Sequence, residues 1–162
     1  AWLLLPANFD STKKYPVLMH VYGGPGSQTV RNLWGGVSLW YHYLSQQGYL
    51  VFSIDNRGTG FRGAAFKKQT YKQLGILETE DQVAGAKFLA SLPFVDRSRI
   101  GIYGWSYGGY MASMCMTYGN AQGEQVFKLG IAGAPVTHWK FYDTIYTERY
   151  MDTPQRLSLI HI

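Results

Sequence analysis

The sequence predicts an α/β protein with a mostly parallel sheet and flanking helices. Four short runs rich in β-branched and aromatic residues are bounded by Gly, Pro and Asp, and they lie at residues 15–22, 49–55, 99–104 and 128–133. Apolar runs of this kind are typical of strands buried on both faces of a parallel sheet. The segments between them are long enough for helices, so strands and helices alternate, as right-handed crossovers require.

Three segments between these strands predict helices: residues 38–47, residues 78–92 and a segment that begins near Ser106. In the second segment we expect an apolar face made by Val83, Ala84, Phe88, Leu89 and Leu92, opposite Glu80, Asp81 and Lys87. In the third segment a stripe that we interpret as core packing consists of Met111, Met114, Cys115 and Tyr118. Cys115 has no basic residue near it in sequence, so we expect a buried, unreactive thiol.

Composition limits the classes of function. The chain has 162 residues, of which 46% are hydrophobic and 15% charged, and this balance excludes a disordered segment and favours one domain. Its apolar runs are far shorter than the roughly 18 residues of a membrane span. A single Cys excludes an internal disulfide framework and a Cys-based zinc cluster, and we expect no cofactor. The net charge is +5, but the basic residues are scattered, so we expect no nucleic-acid partner.

The sharpest chemical signal is Gly104-Trp105-Ser106-Tyr107-Gly108, which fits the pattern G-x-S-x-G. The pattern alone is weak in a chain with 19 Gly, but here it lies between a predicted strand and a predicted helix. That position predicts a sharp turn that raises Ser106 clear of the sheet, with Gly104 and Gly108 avoiding collisions with the neighbouring elements. The dipole at a helix N-terminus favours a developing negative charge. The alternative is an ordinary turn serine.

A serine nucleophile also requires donors that stabilise the oxyanion of its tetrahedral intermediate. The backbone N–H of Tyr107, which follows Ser106, is one expected donor. The loop 22–26 reads Tyr-Gly-Gly-Pro-Gly, and its glycines allow the backbone to approach a ligand closely. Tyr22 could supply a phenol O–H from that loop. The alternative is a tight surface turn without a catalytic role.

These motifs resemble the catalytic domain of the prolyl oligopeptidase family of serine peptidases, and within it most closely the dipeptidyl peptidase IV group. The resemblance covers about residues 1–155. Its matching pieces are YPVL at 15–18, HVYGGPGSQ at 20–28, DNRGTG at 55–60, GWSYGGY at 104–110, APV at 134–136 and the segment 139–151 that contains YTERYM. In order and spacing this set is far more specific than G-x-S-x-G alone, and it implies the α/β-hydrolase fold.

The resemblance implies a role for each matching residue. Ser106 matches the nucleophile, Tyr22 the tyrosine whose hydroxyl lines the oxyanion hole, and Tyr107 the residue whose backbone N–H completes it. The aromatic walls of a pocket for a proline or alanine side chain are matched by Trp139, Tyr142 and Tyr146. Without the resemblance, residues 139–150 are interpreted as an aromatic, half-buried helix that packs on the core. We interpret Arg57 as structural and expect it to pair with a carboxylate.

The acid and the base of the triad are expected outside this chain. Asp143, Asp152 and His161 fit the order Ser, Asp, His, but Asp143 lies in the matched pocket segment and His161 in a tail that does not match. We interpret His20, His42 and His138 as structural. Residues 2–6 predict an edge strand whose partner precedes residue 1. We therefore expect a partial catalytic domain at 1–155, truncated at both ends, and a non-matching tail at 156–162.

The resulting hypothesis is a serine peptidase that, as a full-length parent, releases N-terminal Xaa-Pro or Xaa-Ala dipeptides from a peptide substrate. The resemblance implies that the parent also carries a β-propeller, and it leaves open whether the parent is a homodimer and whether it is periplasmic, at the cell surface or secreted. The isolated chain is expected to be inactive. The alternatives are another α/β-hydrolase, such as an acylaminoacyl peptidase or esterase, and a non-catalytic association domain.

Overall fold

A five-stranded, mostly parallel sheet organises the chain. The computed structural model describes residues 1–33, 38–121, 123 and 125–153. The strands are β1 (Trp2–Leu4), β2 (Tyr15–His20), β3 (Leu50–Ser53), β4 (Val95–Trp105) and β5 (Leu129–Gly133). Their order in the sheet is β1-β3-β2-β4-β5, with β1 antiparallel to β3 and the other neighbours parallel. The predicted α/β class and the mostly parallel sheet are confirmed.

Helices connect and flank these strands. They are α1 (Leu39–Gln46), α2 (Ala64–Lys67), α3 (Ile76–Ser91), α4 (Tyr107–Met114) and α5 (Thr144–Met151). Single 3₁₀ turns lie at Lys68–Thr70 and Trp139–Phe141, and a π-helical turn, Cys115–Gly119, extends α4. Among the described residues, no helix combines the length and the hydropathy that a membrane span needs.

The core forms where α3 and α4 pack on the sheet. Met111, Met114 and Cys115 are at most 2% exposed, so the predicted interpretation of this stripe as core is confirmed. Burial raises the pKa of the Cys115 thiol, which keeps it protonated and unreactive. Every residue of β3 is buried, as predicted. The edge strand β5 differs, because Leu129 and Ile131 are 56% and 46% exposed.

One sequence-based expectation about packing is wrong, and one strand pairing was not predicted. The edge strand β1 pairs with β3, with Trp2 opposite Ser53. On α3 the buried side chains include Glu78, Thr79 and Gln82, whereas Phe88, expected on the apolar face, is 58% exposed. The helix turns a partly polar face inward because the loops beside it supply hydrogen-bond partners for those side chains.

Candidate active site

Ser106 lies at the turn between β4 and α4. Its backbone has φ 58° and ψ −117°, a positive φ that residues other than Gly and Asn rarely adopt. The turn is held on both sides, because Ser106 N donates to Gly133 O at 2.8 Å and Ser106 O accepts from Tyr110 N at 3.0 Å. The residue is partly exposed, so its hydroxyl is not enclosed in the core. This is the geometry of a nucleophile elbow.

The glycines around Ser106 are required by close backbone contacts. A Cβ on Gly104 would overlap the carbonyl oxygens of Gly108 and Val21, and a Cβ on Gly108 would overlap the same Val21 oxygen. A Cβ on Gly109 would overlap the Gly133 carbonyl oxygen. The collisions expected from the sequence at Gly104 and Gly108 are therefore confirmed, and the partners are backbone atoms that cannot rotate away.

The two residues that the sequence singled out as oxyanion donors are neighbours in space. Tyr107 is the first residue of α4, where backbone N–H groups have no intrahelical acceptor. The ring of Tyr22 lies 6.1 Å from the ring of Tyr107, and Gly24 leaves room for both. Burial raises the pKa of Tyr22, and the nearby Tyr142 and Tyr150 phenols add to this effect. At neutral pH the Tyr22 phenol is therefore protonated and able to donate.

The loop after β3 braces the loop that carries Tyr22. Asn56 Nδ2 donates to Gly23 O at 3.0 Å, while Asn56 Oδ1 accepts from Gln82 Nε2 at 3.0 Å. Nearby, the Asp55 carboxylate accepts from the backbone N–H groups of Thr29 and Val30 at 2.8 and 3.0 Å. Sequence reasoning noted this loop only as part of the resemblance. Its physical role is to hold the Tyr22 loop against the end of the sheet.

Arg57 makes the ion pair that the sequence led us to expect. Its Nε donates to both Asp81 carboxylate oxygens at 2.9 and 3.0 Å, and its backbone N–H donates to Asp81 Oδ2 at 2.7 Å. A further contact joins Arg57 Nη2 to Glu80 Oε2 at 3.1 Å. Arg57 therefore ties the loop after β3 to α3, and its predicted pairing is confirmed.

Trp139, Tyr142 and Tyr146, which we call the aromatic cluster, contact one another. Trp139 stacks on Tyr146 with ring centroids 5.9 Å apart, and Tyr142 meets both rings edge-on at 5.8 and 5.5 Å. Trp139 is 3% exposed and Tyr142 39%. Trp139 also lies 5.9 Å from the ring of Tyr107, so the cluster adjoins the nucleophile elbow. Trp139 thus belongs to the core as well. The sequence predicted a single helix over 139–150, but the structure has a 3₁₀ turn followed by α5.

The two aspartates that fit the order of a triad have other partners, and His20 is packed among aromatic rings. Asp143 caps α5 by accepting from Tyr146 N at 2.8 Å, and Asp152 pairs with Lys72 Nζ at 2.6 Å. His20 packs between Tyr41 and Tyr103. Burial lowers the pKa of His20 to about 4. His161 lies outside the described residues.

Within the described ranges, no group of three or more His, Cys, Asp and Glu side chains is arranged to hold a metal ion.

One residue at the site was missed by sequence reasoning. Glu78, in the first turn of α3, is 0% exposed and accepts the Tyr107 hydroxyl at Oε1, 2.8 Å away. Burial is the main cause that raises its pKa to about 7. A signal was present, because Glu three residues after Gly75 fits a helix N-terminal cap, and Gly75 N donates to Glu78 Oε2 at 2.9 Å.

Comparison with known proteins places this geometry in a family. The family model described as prolyl oligopeptidase family matches residues 36–159. The chain is 51% identical over 151 residues to "Probable dipeptidyl-aminopeptidase B" of Paracoccidioides lutzii, covering 93% of this chain and 16% of that protein. It is 45% identical over 155 residues to prolyl endopeptidase FAP of Bos taurus, covering 95% and 20%.

A solved structure shows the same arrangement of the backbone. The crystal structure of Porphyromonas gingivalis dipeptidyl peptidase 4 superposes with a TM-score of 0.90 at 49% identity, covering 97% of this chain and 22% of that one. The chain therefore spans only about a fifth of the length of these relatives. With the family match and the solved fold in agreement, the chain belongs to the prolyl oligopeptidase family.

Proposed function

We propose that this chain supplies the nucleophile, the oxyanion donors and the side-chain pocket of a serine peptidase. The observation that carries the proposal is the turn at Ser106, a serine at φ 58° between β4 and α4. Glycines hold this turn at backbone contact distance, and Tyr22 and the aromatic cluster lie beside it. An ordinary turn serine needs none of these features, and strained backbone of this kind clusters at active sites.

The proposed reaction is acyl transfer. Ser106 Oγ bonds to the scissile carbonyl carbon while a general base takes its proton, and the carbonyl oxygen becomes an oxyanion. The Tyr107 N–H and the Tyr22 O–H donate to that oxyanion. The C–N bond then breaks, the base returns the proton to the leaving amine, and water hydrolyses the acyl-enzyme by the same steps. We assign the base and its acid partner to parts of the parent protein outside this chain.

The aromatic cluster is proposed to bind the side chain of the residue that precedes the scissile bond. Its three rings meet face-on and edge-on, so they form rigid, apolar walls. A pyrrolidine ring or a methyl group can be desolvated against such walls at a small cost in entropy. We therefore propose cleavage after proline or alanine.

The relatives support peptide substrates and leave two modes of cleavage to distinguish. One is a dipeptidyl-aminopeptidase by name and another a prolyl endopeptidase, and both are much longer than this chain. We propose dipeptide release by a longer parent protein that also carries the β-propeller. The isolated chain is expected to be inactive, because loss of the base and the acid typically costs about 10⁴–10⁶ in rate.

A substrate panel on the parent protein tests this function. We expect Xaa-Pro and Xaa-Ala anilides to be hydrolysed, blocked Xaa-Pro and acylaminoacyl substrates to be poor, and Ser106→Ala to abolish all turnover. Preference for esters or for acylaminoacyl peptides would indicate another hydrolase of the same fold. Absence of any fluorophosphonate labelling would indicate a non-catalytic association domain, because only an activated serine reacts with that probe.

A further inference from the structure

Glu78 is a buried carboxylate that the proposed reaction does not use. It is 0% exposed, and acidic side chains are almost never fully buried without partners. Its two oxygens accept from Gly75 N at 2.9 Å and from the Tyr107 hydroxyl at 2.8 Å. Within the described residues, no Lys, Arg or His forms an ion pair with it. The carboxylate is therefore stabilised by the Gly75 N–H at the start of α3 and by the Tyr107 phenol rather than by a cation.

Tyr107 connects this carboxylate to the candidate active site. Its backbone begins α4 directly after Ser106, and its side chain is 2% exposed. Its ring lies 6.1 Å from Tyr22 and 5.9 Å from Trp139, while its hydroxyl is bonded to Glu78. A displacement of the phenol would therefore be transmitted to the Tyr107 backbone and to the walls of the pocket.

The titratable groups that face Glu78 come from three helices. They are Asp81 on its own helix, Tyr107 and Tyr110 on α4, and Tyr146 on α5. Burial, with a contribution from Asp81, raises the pKa of Glu78 to about 7, whereas its hydrogen bonds act to lower it. Burial also raises the pKa of Tyr107 well above 10. At neutral pH Tyr107 is therefore a donor, and Glu78 is the member of the pair that titrates.

We propose that Glu78 is a positioning residue for the acylation step, because its carboxylate holds the Tyr107 side chain and thereby the backbone N–H assigned to the oxyanion. This inference rests on the proposed function. An ionised carboxylate accepts both of its hydrogen bonds, whereas a protonated one carries an O–H and loses part of its capacity to accept. A displacement of about 1 Å near a reacting group can cost roughly 100-fold in rate, so a small loosening at Tyr107 is measurable.

The first test is a double-mutant cycle in the parent protein. The variants are Glu78→Gln, Tyr107→Phe and the two combined, and the readout is the rate of fluorophosphonate labelling at pH 8. Each single change removes the charge-assisted hydrogen bond between Tyr107 and Glu78, so we expect the labelling rate to fall about tenfold. Since both changes act on one contact, the combined variant should be no slower than the worse single variant. Losses that multiply would overturn the proposal.

A matched control variant and separate measurement of kcat and KM distinguish a positioning role of Glu78 from a role in stability alone. Glu80→Gln makes the same change of charge on the same helix, at a side chain that is 48% exposed, and should leave the labelling rate unchanged. For an Xaa-Pro anilide, Glu78→Gln should lower kcat and leave KM within about twofold, as expected for an interaction that matters in the transition state. A rise in KM with unchanged kcat would overturn the proposal.

The second test is the pH dependence of the ratio of the wild-type rate to the Glu78→Gln rate. Titration of the general base affects both proteins and cancels in the ratio. We expect the ratio to rise severalfold between pH 6 and 8, as Glu78 ionises and holds Tyr107 more firmly. A ratio that is constant or that falls with pH would overturn the proposal.

The two proposals fail in different ways. If the wild-type parent is labelled and Ser106→Ala is not, the proposed function stands whatever the Glu78 variants do. Multiplying losses or a constant ratio would then refute the role of Glu78 alone. If the wild-type parent is not labelled at all, both proposals are refuted together.

Discussion

Replacement of Gly108 by alanine tests the steric argument for the nucleophile elbow. The new Cβ would overlap the carbonyl oxygen of Val21 and lie 3.2 Å from the Cα of Tyr22. Both neighbours are backbone atoms, and favourable contacts between heavy atoms lie near 3.5–4.0 Å. The start of α4 or the end of β2 must therefore move by roughly 1 Å.

The size of the expected effect follows from that displacement. Overpacking of this kind typically costs about 1–3 kcal/mol of stability. The same displacement separates the Tyr107 N–H from the Tyr22 loop, so we expect fluorophosphonate labelling of the parent protein to slow by roughly 100-fold. Labelling rate and thermal midpoint are measured on the same sample, so that a loss of folded protein is not mistaken for a loss of reactivity.

The matched control is Gly85→Ala in α3. Its Cβ would lie 3.4 Å from the nearest side-chain atom, which is an ordinary contact, and alanine is favoured over glycine in a helix by about 1 kcal/mol. We expect this variant to be labelled at the wild-type rate and to be at least as stable. If Gly108→Ala also behaves like wild type, the argument from close backbone contact is refuted.

Three further predictions concern the donor, the pocket and the buried carboxylate. Tyr22→Phe removes one oxyanion donor and should lower kcat for an Xaa-Pro anilide by about 10²–10³ with little change in KM; an unchanged kcat would exclude the Tyr22 hydroxyl from the oxyanion hole. The Trp139 side chain is 3% exposed, so Trp139→Ala should lower the free energy of unfolding by about 3–5 kcal/mol, as measured by denaturant unfolding. The Phe141 side chain is 82% exposed, so in the same assay the control Phe141→Ala should change stability by less than about 0.5 kcal/mol. The folded-state pKa of Glu78, about 7, lies above the ordinary value of 4.5, so its contribution to stability should be fully present below pH 4.5 and be lost, by about 3 kcal/mol, as pH rises from there through 7. Glu78→Gln should lack this fall, and parallel stability curves would contradict the assignment.

The sequence was sufficient to predict the turn at Ser106 because its cause is local. Gly104 and Gly108 are spaced so that the strand can meet the helix, and the structure shows the backbone contacts that require them. The sheet was predictable for a similar reason, since a buried parallel strand such as β3 leaves a continuous apolar run in the sequence.

The failures have non-local causes. Apolar periodicity put Phe88 on the buried face of α3, but Glu78 and Gln82 lie inward because Tyr107 and Asn56 bond to them from elements distant in sequence. The pairing of β1 with β3 was not predicted, because it depends on a strand about 50 residues further along the chain, which a three-residue segment cannot indicate. Polar side chains of this kind are predictable only once their partners are placed.

A crystal structure of the parent protein after reaction with a fluorophosphonate tests the central claim most directly. The account predicts a phosphonyl group on Ser106 Oγ, with its oxygen about 2.7–3.1 Å from both the Tyr107 N–H nitrogen and the Tyr22 hydroxyl. An adduct on another residue, or an oxygen turned away from both donors, would contradict it.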